Sequence, residues 1–243
     1  MIFPNPIRAI TLDLDDTLWP MRPALVHAEE VLAAWLADRA PRTAAYLTPE
    51  ARREIRGRLL REHPQRAHDV SFLRREALRS ALVAAGEDGA LAEPAFEAFL
   101  AARQRVTLYR DVVPVLARWA ARYRLVALSN GNADIVRIGI AQYFAASVSA
   151  HEVGCAKPDP RIFLEACRRV RVEPAEALHV GDDPELDVRA ARAAGLQAAW
   201  IRRPDLARAK AQDPAQDPAN DPDLPAFESI EALDSRLHPR PAK

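Results

Sequence analysis

Asp13, Asp15 and Asp16 stand together in Asp13-Leu14-Asp15-Asp16-Thr17-Leu18, and a second acidic pair, Asp182-Asp183, follows Gly181. Ala9 to Leu14 alternates and ends in the first group, and Ala177 to Val180 is a short apolar run before the second. Residues two apart on a strand face the same side, so Asp13 and Asp15 address one pocket. Adjacent carboxylates repel unless a cation compensates them. Acidic pairs at two strand ends form a hard oxygen site suited to Mg²⁺, which keeps waters and a substrate phosphate in its shell. The expected metal site is Asp13, Asp15 and Asp182, with a backbone carbonyl among its donors. Asp182 or Asp183 can equally cap the helix that opens at Pro184, with Asp187 inside that helix.

Two further clusters carry anion-binding chemistry. Ser129-Asn130-Gly131-Asn132 follows the apolar run Leu125 to Leu128 and offers a hydroxyl, amides and backbone N–H groups to a phosphate. Lys157 precedes Pro158 and is held in an extended or turn conformation. Of 34 basic residues only Lys157, Lys210 and Lys243 are lysine, leaving 31 arginines. A compact ammonium retained in so arginine-rich a chain suits close approach to a phosphoryl group.

The elements that must position these groups are strands alternating with helices, which predicts an α/β fold around a parallel, Rossmann-like sheet of five or six strands. Further strands are expected at Ala146 to Ser149 and Gln197 to Ile201. Helices are expected at Pro23 to Ala37, Ala133 to Gly139 and Pro184 to Ala194, the last stopped by Gly195. More than a hundred residues separate the first two strands, and they read as helix only. Thr48, Pro49 and Glu50 look like an N-cap and first turn, Asp69 to Ala85 a helix stopped at Gly86, and Leu91 to Val106 another. The expected organisation is a main domain of residues 1–20 and 109–243 with a small helical cap domain, 21–108, inserted after the first acidic cluster. Asp-Pro recurs at Asp213, Asp217 and Asp221, a spacing that forbids continuous helix or strand. Phe227 to Leu237 resumes an amphipathic pattern.

The 243 residues carry 34 acidic and 34 basic side chains, so a formal charge of zero argues against nucleic acid or an anionic membrane as partner. Apolar residues are 49% and charged residues 28%, the balance of a globular protein. Cys155 and Cys167 are too few for a disulfide framework. No secretion signal is read at the amino terminus, and no apolar stretch approaches the roughly 18 residues of a spanning helix. A cytoplasmic protein acting on a small molecule, as a monomer or small homo-oligomer, is expected.

Taken in order, DLDDTL, SNGN, the Lys157-Pro158 loop and GDDPELD resemble the four motifs of the haloacid dehalogenase superfamily, from Ala9 to about Trp200. The resemblance implies Asp13 as nucleophile, Asp15 as general acid and base, and Ser129, Asn130 and Lys157 as phosphate holders. It implies Asp182 as a Mg²⁺ ligand with Asp183 close behind, and Thr17 and Asp187 in support. Halide leaves without a proton, so Asp15 favours a phosphatase acting on a small phosphorylated metabolite over a 2-haloacid dehalogenase. A catalytically silent binding protein of the same fold is a further alternative, and the complete acidic set speaks against it. The stretch around His68, Arg74 and Arg75, with SNGNA and AAWIR, is similar to bacterial phosphatases acting on flavin mononucleotide and on phosphoribitylamino-uracil. By that likeness Trp19, His68, Arg74 and Arg75 would meet a polar, ring-bearing substrate.

Overall fold

A computed structural model describes residues 3–204 and 225–239; the Asp-Pro repeat lies outside the described residues. Within them the strands are β1 (Ala9–Leu12), β2 (Arg124–Ser129), β3 (Ala146–Ser149), β4 (Ala177–Gly181), β5 (Gln197–Ile201) and β6 (Ala226–Phe227). They form one sheet in the order β3-β2-β1-β4-β5-β6, every pairing parallel. β1, β4 and β5 are buried at every position. That is why their sequences are near-continuous apolar runs rather than alternating ones. From β1 the chain builds β2 and β3 on one side, then crosses to β4 on the other. The order therefore reverses at β1, and the crevice beyond the carboxyl ends there is where such sheets bind ligands.

The chain divides into two compact units, Met1–Pro20 with Thr107–Lys243, and Met21–Val106. The second unit is helical: α1 (Met21–Arg39), α2 (Pro41–Tyr46), α3 (Pro49–Glu62), α4 (Val70–Ala84) and α5 (Ala92–Arg103). Thr48 caps α3 by accepting from Ala51 N–H, with Pro49 at the first helical position, and Asp69 caps α4 by accepting from Phe72 N–H at 2.9 Å. Leu32, Leu36, Leu82, Phe96 and Phe99 close its core.

The sheet unit carries α6 (Val112–Ala120), α7 (Ile135–Ile138), α8 (Ala150–Val153), α9 (Pro160–Val170), α10 (Ala190–Ala193) and α11 (Ile230–Leu237). Two helices differ from expectation. The segment expected as helix from Ala133 to Gly139 is only α7, because the Asp134 carboxylate caps Val136 and Arg137 N–H and left-handed Gly139 ends the turn. The segment from Pro184 opens as a π-helical turn, Pro184–Arg189, with Val188 N–H reaching back five residues to the Asp183 carbonyl. Such widened turns mark functional sites, and here the turn carries Asp187. No helix among the described residues is long and apolar enough to cross a membrane.

Candidate active site

The carboxyl ends of β1, β2 and β4 each deliver part of one cluster. Asp13 is the first residue past β1, and its N–H still pairs with the Val180 carbonyl at 2.9 Å, so its backbone is fixed by the sheet. The chain then doubles back. Asp16 is left-handed (φ 62°), a conformation that Asp tolerates better than most residues, and its N–H donates to the Trp19 carbonyl at 2.7 Å. This return brings the Trp19 indole Nε1–H to Asp15 Oδ1 at 2.8 Å. Trp19 is fully buried. Expected among the residues that meet a ring-bearing substrate, it stands here as a donor to Asp15.

Thr17 supports the site from the same loop. Its hydroxyl lies 3.3 Å from Asp13 Oδ2 and 3.5 Å from Asp182 Oδ1, so it serves the first carboxylate and the fourth motif. Arg203 holds this loop from beneath. Its Nε and one terminal nitrogen donate to the Thr17 carbonyl at 3.1 and 2.8 Å, and the other terminal nitrogen pairs with Asp111 at 2.9 Å.

Lys157 lies buried between Asp13 and Asp187, donating to Asp13 Oδ1 at 2.5 Å and to Asp187 Oδ1 at 2.6 Å. Its backbone is clamped by Asn130: Lys157 N–H donates to Asn130 Oδ1 at 2.7 Å, and Asn130 Nδ2 donates to the Lys157 carbonyl at 3.0 Å. The Asn130 amide therefore positions the lysine loop, where a phosphate contact was expected. Ser129 Oγ accepts from Gly131 N–H at 2.9 Å and keeps its own O–H to donate. A methyl group on Gly131 would stand 3.2 Å from Asp15 Oδ2 and 3.4 Å from Ser129 Oγ, so this glycine keeps the two polar groups close.

Asp183 is the N-cap: its Oδ1 accepts from Glu185 and Leu186 N–H, both at 2.9 Å. Asp182 is turned the other way, its carbonyl held by Trp200 Nε1–H at 2.8 Å. Asp187 is buried under β4. Besides Lys157 it accepts Asp183 N–H at 3.0 Å on Oδ2 and faces His179 Nε2 at 3.1 Å with Oδ1. The close packing depends on Gly181, whose α-carbon would place a methyl 2.3 Å from the Asp187 carboxyl. His179, Thr11 and Gly181 escaped the sequence reading because they sit inside apolar strand runs. Their only signal is polar or side-chain-free residues in strands that are otherwise apolar.

Electrostatics follow from this crowding. Burial, reinforced by the Asp187 and Asp182 carboxylates, raises Asp13 well above the ordinary carboxylate range despite Lys157. For Asp187 burial also pulls upward, but the ammonium of Lys157 and the imidazole outweigh it and hold the group well below that range. For Lys157 burial favours the neutral form, and the two carboxylates overcome it and raise the ammonium further. Asp13, Asp182 and Asp187 bring oxygens within 4.8 Å of one another against a single paired ammonium. An all-oxygen donor set of this kind fits a divalent cation such as Mg²⁺. Asp187 is the more tightly held of the three, accepting Lys157 and His179 on one oxygen and Asp183 N–H on the other.

In the helical unit, Arg74 donates to Glu29 at 2.7 Å and stacks 3.8 Å over Phe99, while Arg75 pairs with Glu93 at 3.3 Å and lies 4.3 Å over Phe96. Both guanidinium groups have partners within their own unit, which the sequence did not foretell. His68 is half-buried just ahead of α4.

Residues 7–195 match the family model of the haloacid dehalogenase-like hydrolases. The chain belongs to this family. It is 32% identical over 200 residues to the 5-amino-6-(5-phospho-D-ribitylamino)uracil phosphatase YigB of Escherichia coli, covering 81% of this chain and 84% of that one. It is 29% identical to a phosphoglycolate phosphatase of Thiobacillus denitrificans, covering 79% and 82%. Among solved structures it resembles a 2-haloacid dehalogenase from Pseudomonas syringae, with 40% identity, a TM-score of 0.84, and 95% and 98% of the two chains covered. The haloacid dehalogenase-like hydrolases thus include similar chains named for two different leaving groups, and the residues of the site must decide between them.

Proposed function

We propose that the chain is a phosphomonoester hydrolase working through an aspartyl-phosphate on Asp13. The observation that carries this reading is Asp15, a second carboxyl two residues from the nucleophile, one oxygen held by the Trp19 indole and the other beside Gly131 and Ser129. An alkoxide leaving group needs a proton donor and a halide does not, so a built-in acid beside the nucleophile fits phosphate esters.

In the first step an Asp13 oxygen bonds to phosphorus as the bond to the ester oxygen breaks, and Asp15 gives its proton to the departing alkoxide. In the second, Asp15 takes a proton from water as the water oxygen attacks phosphorus. The bond to Asp13 breaks, inorganic phosphate leaves, and both carboxyls regain their starting states. Lys157 and the Ser129 hydroxyl neutralise charge on the non-bridging oxygens. Asp13, Asp182 and the backbone carbonyl of Asp15 would hold Mg²⁺, which when bound supplies the positive charge that lets a carboxylate approach a phosphate dianion. Asn130 and Thr17 keep Lys157 and Asp13 aligned.

The substrate we propose is a small phosphorylated metabolite of the ribityl-phosphate kind, flavin mononucleotide or phosphoribitylamino-uracil. The name of the Escherichia coli relative and the sequence around His68 support it. Balanced charge supports action on a free small molecule in the cytoplasm rather than on nucleic acid or a membrane. The Pseudomonas syringae structure favours a second reading, halide displacement from a 2-haloacid. One assay separates them: phosphate release from a panel of phosphomonoesters with and without Mg²⁺, beside chloride release from 2-chloropropionate. Mg²⁺-dependent phosphate release is expected; chloride without phosphate would overturn the proposal.

A further inference from the structure

A buried imidazole stands behind the site without a part in the chemistry above. His179 lies in β4, directly beside Thr11 of β1 in the parallel register, and neither side chain is exposed. Thr11 Oγ1 is 2.7 Å from His179 Nδ1, and His179 Nε2 is 3.1 Å from Asp187 Oδ1, the same oxygen that holds Lys157. The ring stands edge-on to Phe163 at 5.0 Å, so it has one orientation.

From this chain of contacts we propose that His179 is a positioning residue for Lys157. It would act through Asp187, with its tautomer set by Thr11. The inference rests on the phosphatase reading for its catalytic consequence, but not for its geometry. A carboxylate oxygen is an acceptor only, so the ring must place its proton on Nε2. A neutral ring then has a bare Nδ1, and the Thr11 hydroxyl is the donor that satisfies it. Burial lowers the proton affinity of His179 against the opposing pull of Asp187, which agrees with one ring proton rather than two. Asp187 is thereby tied at both oxygens, by His179 and Lys157 on one and by Asp183 N–H on the other. It cannot swing, and the ammonium it holds stays aimed at Asp13. The arrangement parallels the outer partners that orient ligands around metal sites, whose removal costs about 10–100-fold in function.

The test uses the full chain and two variants. His179→Phe keeps a ring against Phe163 but loses both nitrogens; Thr11→Val keeps shape and touches neither Asp187 nor Lys157. The direct readout is nitrogen-15 NMR. Wild type should show an Nε2-protonated His179 and a slowly exchanging Lys157 ammonium signal. Thr11→Val should mix the tautomers and speed ammonium exchange, and His179→Phe should abolish slow exchange. With any ester or haloacid that wild type turns over, kcat per folded molecule should fall about 10–100-fold for His179→Phe and about threefold or more for Thr11→Val. A lower melting temperature with unchanged ammonium exchange and kcat in the folding variants would make His179 a core residue only and overturn the proposal. If wild type hydrolyses no phosphate ester, the phosphatase reading fails, while ammonium exchange still decides whether His179 positions Lys157.

Discussion

Replacing Gly181 by alanine adds one methyl group and should disable the site from behind. The ideal Cβ at this position falls 2.3 Å from Asp187 Cγ and Oδ2 and 2.6 Å from its Cβ, more than an ångström inside ordinary contact. Gly181 has no left-handed backbone to strain, so the cost is the collision alone. Asp187 cannot retreat without leaving Lys157 (2.6 Å), His179 (3.1 Å) and Asp183 N–H (3.0 Å). Breaking a buried ion pair costs about 3–5 kcal/mol. For a chain of this length that corresponds to roughly 6–20 °C in Tm. Gly139→Ala is the control: nothing lies within 4 Å of its added methyl, and its φ of 85° carries only a backbone penalty of about 1–2 kcal/mol. Thermal melts and turnover of both variants should show Gly181→Ala strongly destabilised and nearly inactive, with Gly139→Ala mildly destabilised and fully active. A Gly181→Ala protein within about 0.5 kcal/mol of wild type, with Lys157 undisturbed, would refute the reasoning.

Three further outcomes follow from the same geometry. Asp13→Asn should abolish turnover, and Mg²⁺ should raise the Tm of wild type more than that of the variant; equal Mg²⁺ shifts would contradict the proposed ligand set. Asp187 is held below the ordinary Asp value of 3.8, so the unfolded chain binds its proton first as pH falls. Its stabilisation is complete above that value and is lost progressively as pH falls from there through the lower folded value, and the acid slope of stability measured by urea titration should flatten in Asp187→Asn. The Cys167 thiol is pushed up to about 11, by burial first and Glu173 second, and Cys155 is also buried. Both should react with a thiol reagent at pH 8 only as fast as the protein opens; rapid labelling of native protein would contradict their burial.

The sheet was legible because buried parallel strands write themselves as apolar runs, and the acidic clusters because they are local, at strand ends. Long-range partners leave no such trace. Asn130 looks like an anion-binding amide until the Lys157 backbone, 27 residues away, is seen to consume it. Trp19 looks like an exposed stacking ring because nothing in DLDDTLW announces that left-handed Asp16 folds the indole back on Asp15. His179 was hidden for the opposite reason: one imidazole in a strand reads as core until Thr11 and Asp187 are found on either side. Arg74 and Arg75 could not be told from solvated arginines in a chain with 31 of them, and their partners Glu29 and Glu93 lie on other helices.

The central claim is that Asp13 attacks phosphorus and that water later attacks the same atom. Single-turnover hydrolysis in heavy-oxygen water, followed by mass spectrometry of the released phosphate and of the peptide containing Asp13, tests it most directly. The account predicts label in phosphate and none in the Asp13 carboxylate, because the bond broken is between phosphorus and oxygen. Label in the Asp13 carboxylate, with a haloacid as the substrate that turns over, would mean that water attacks a carbon ester of Asp13 and would contradict it.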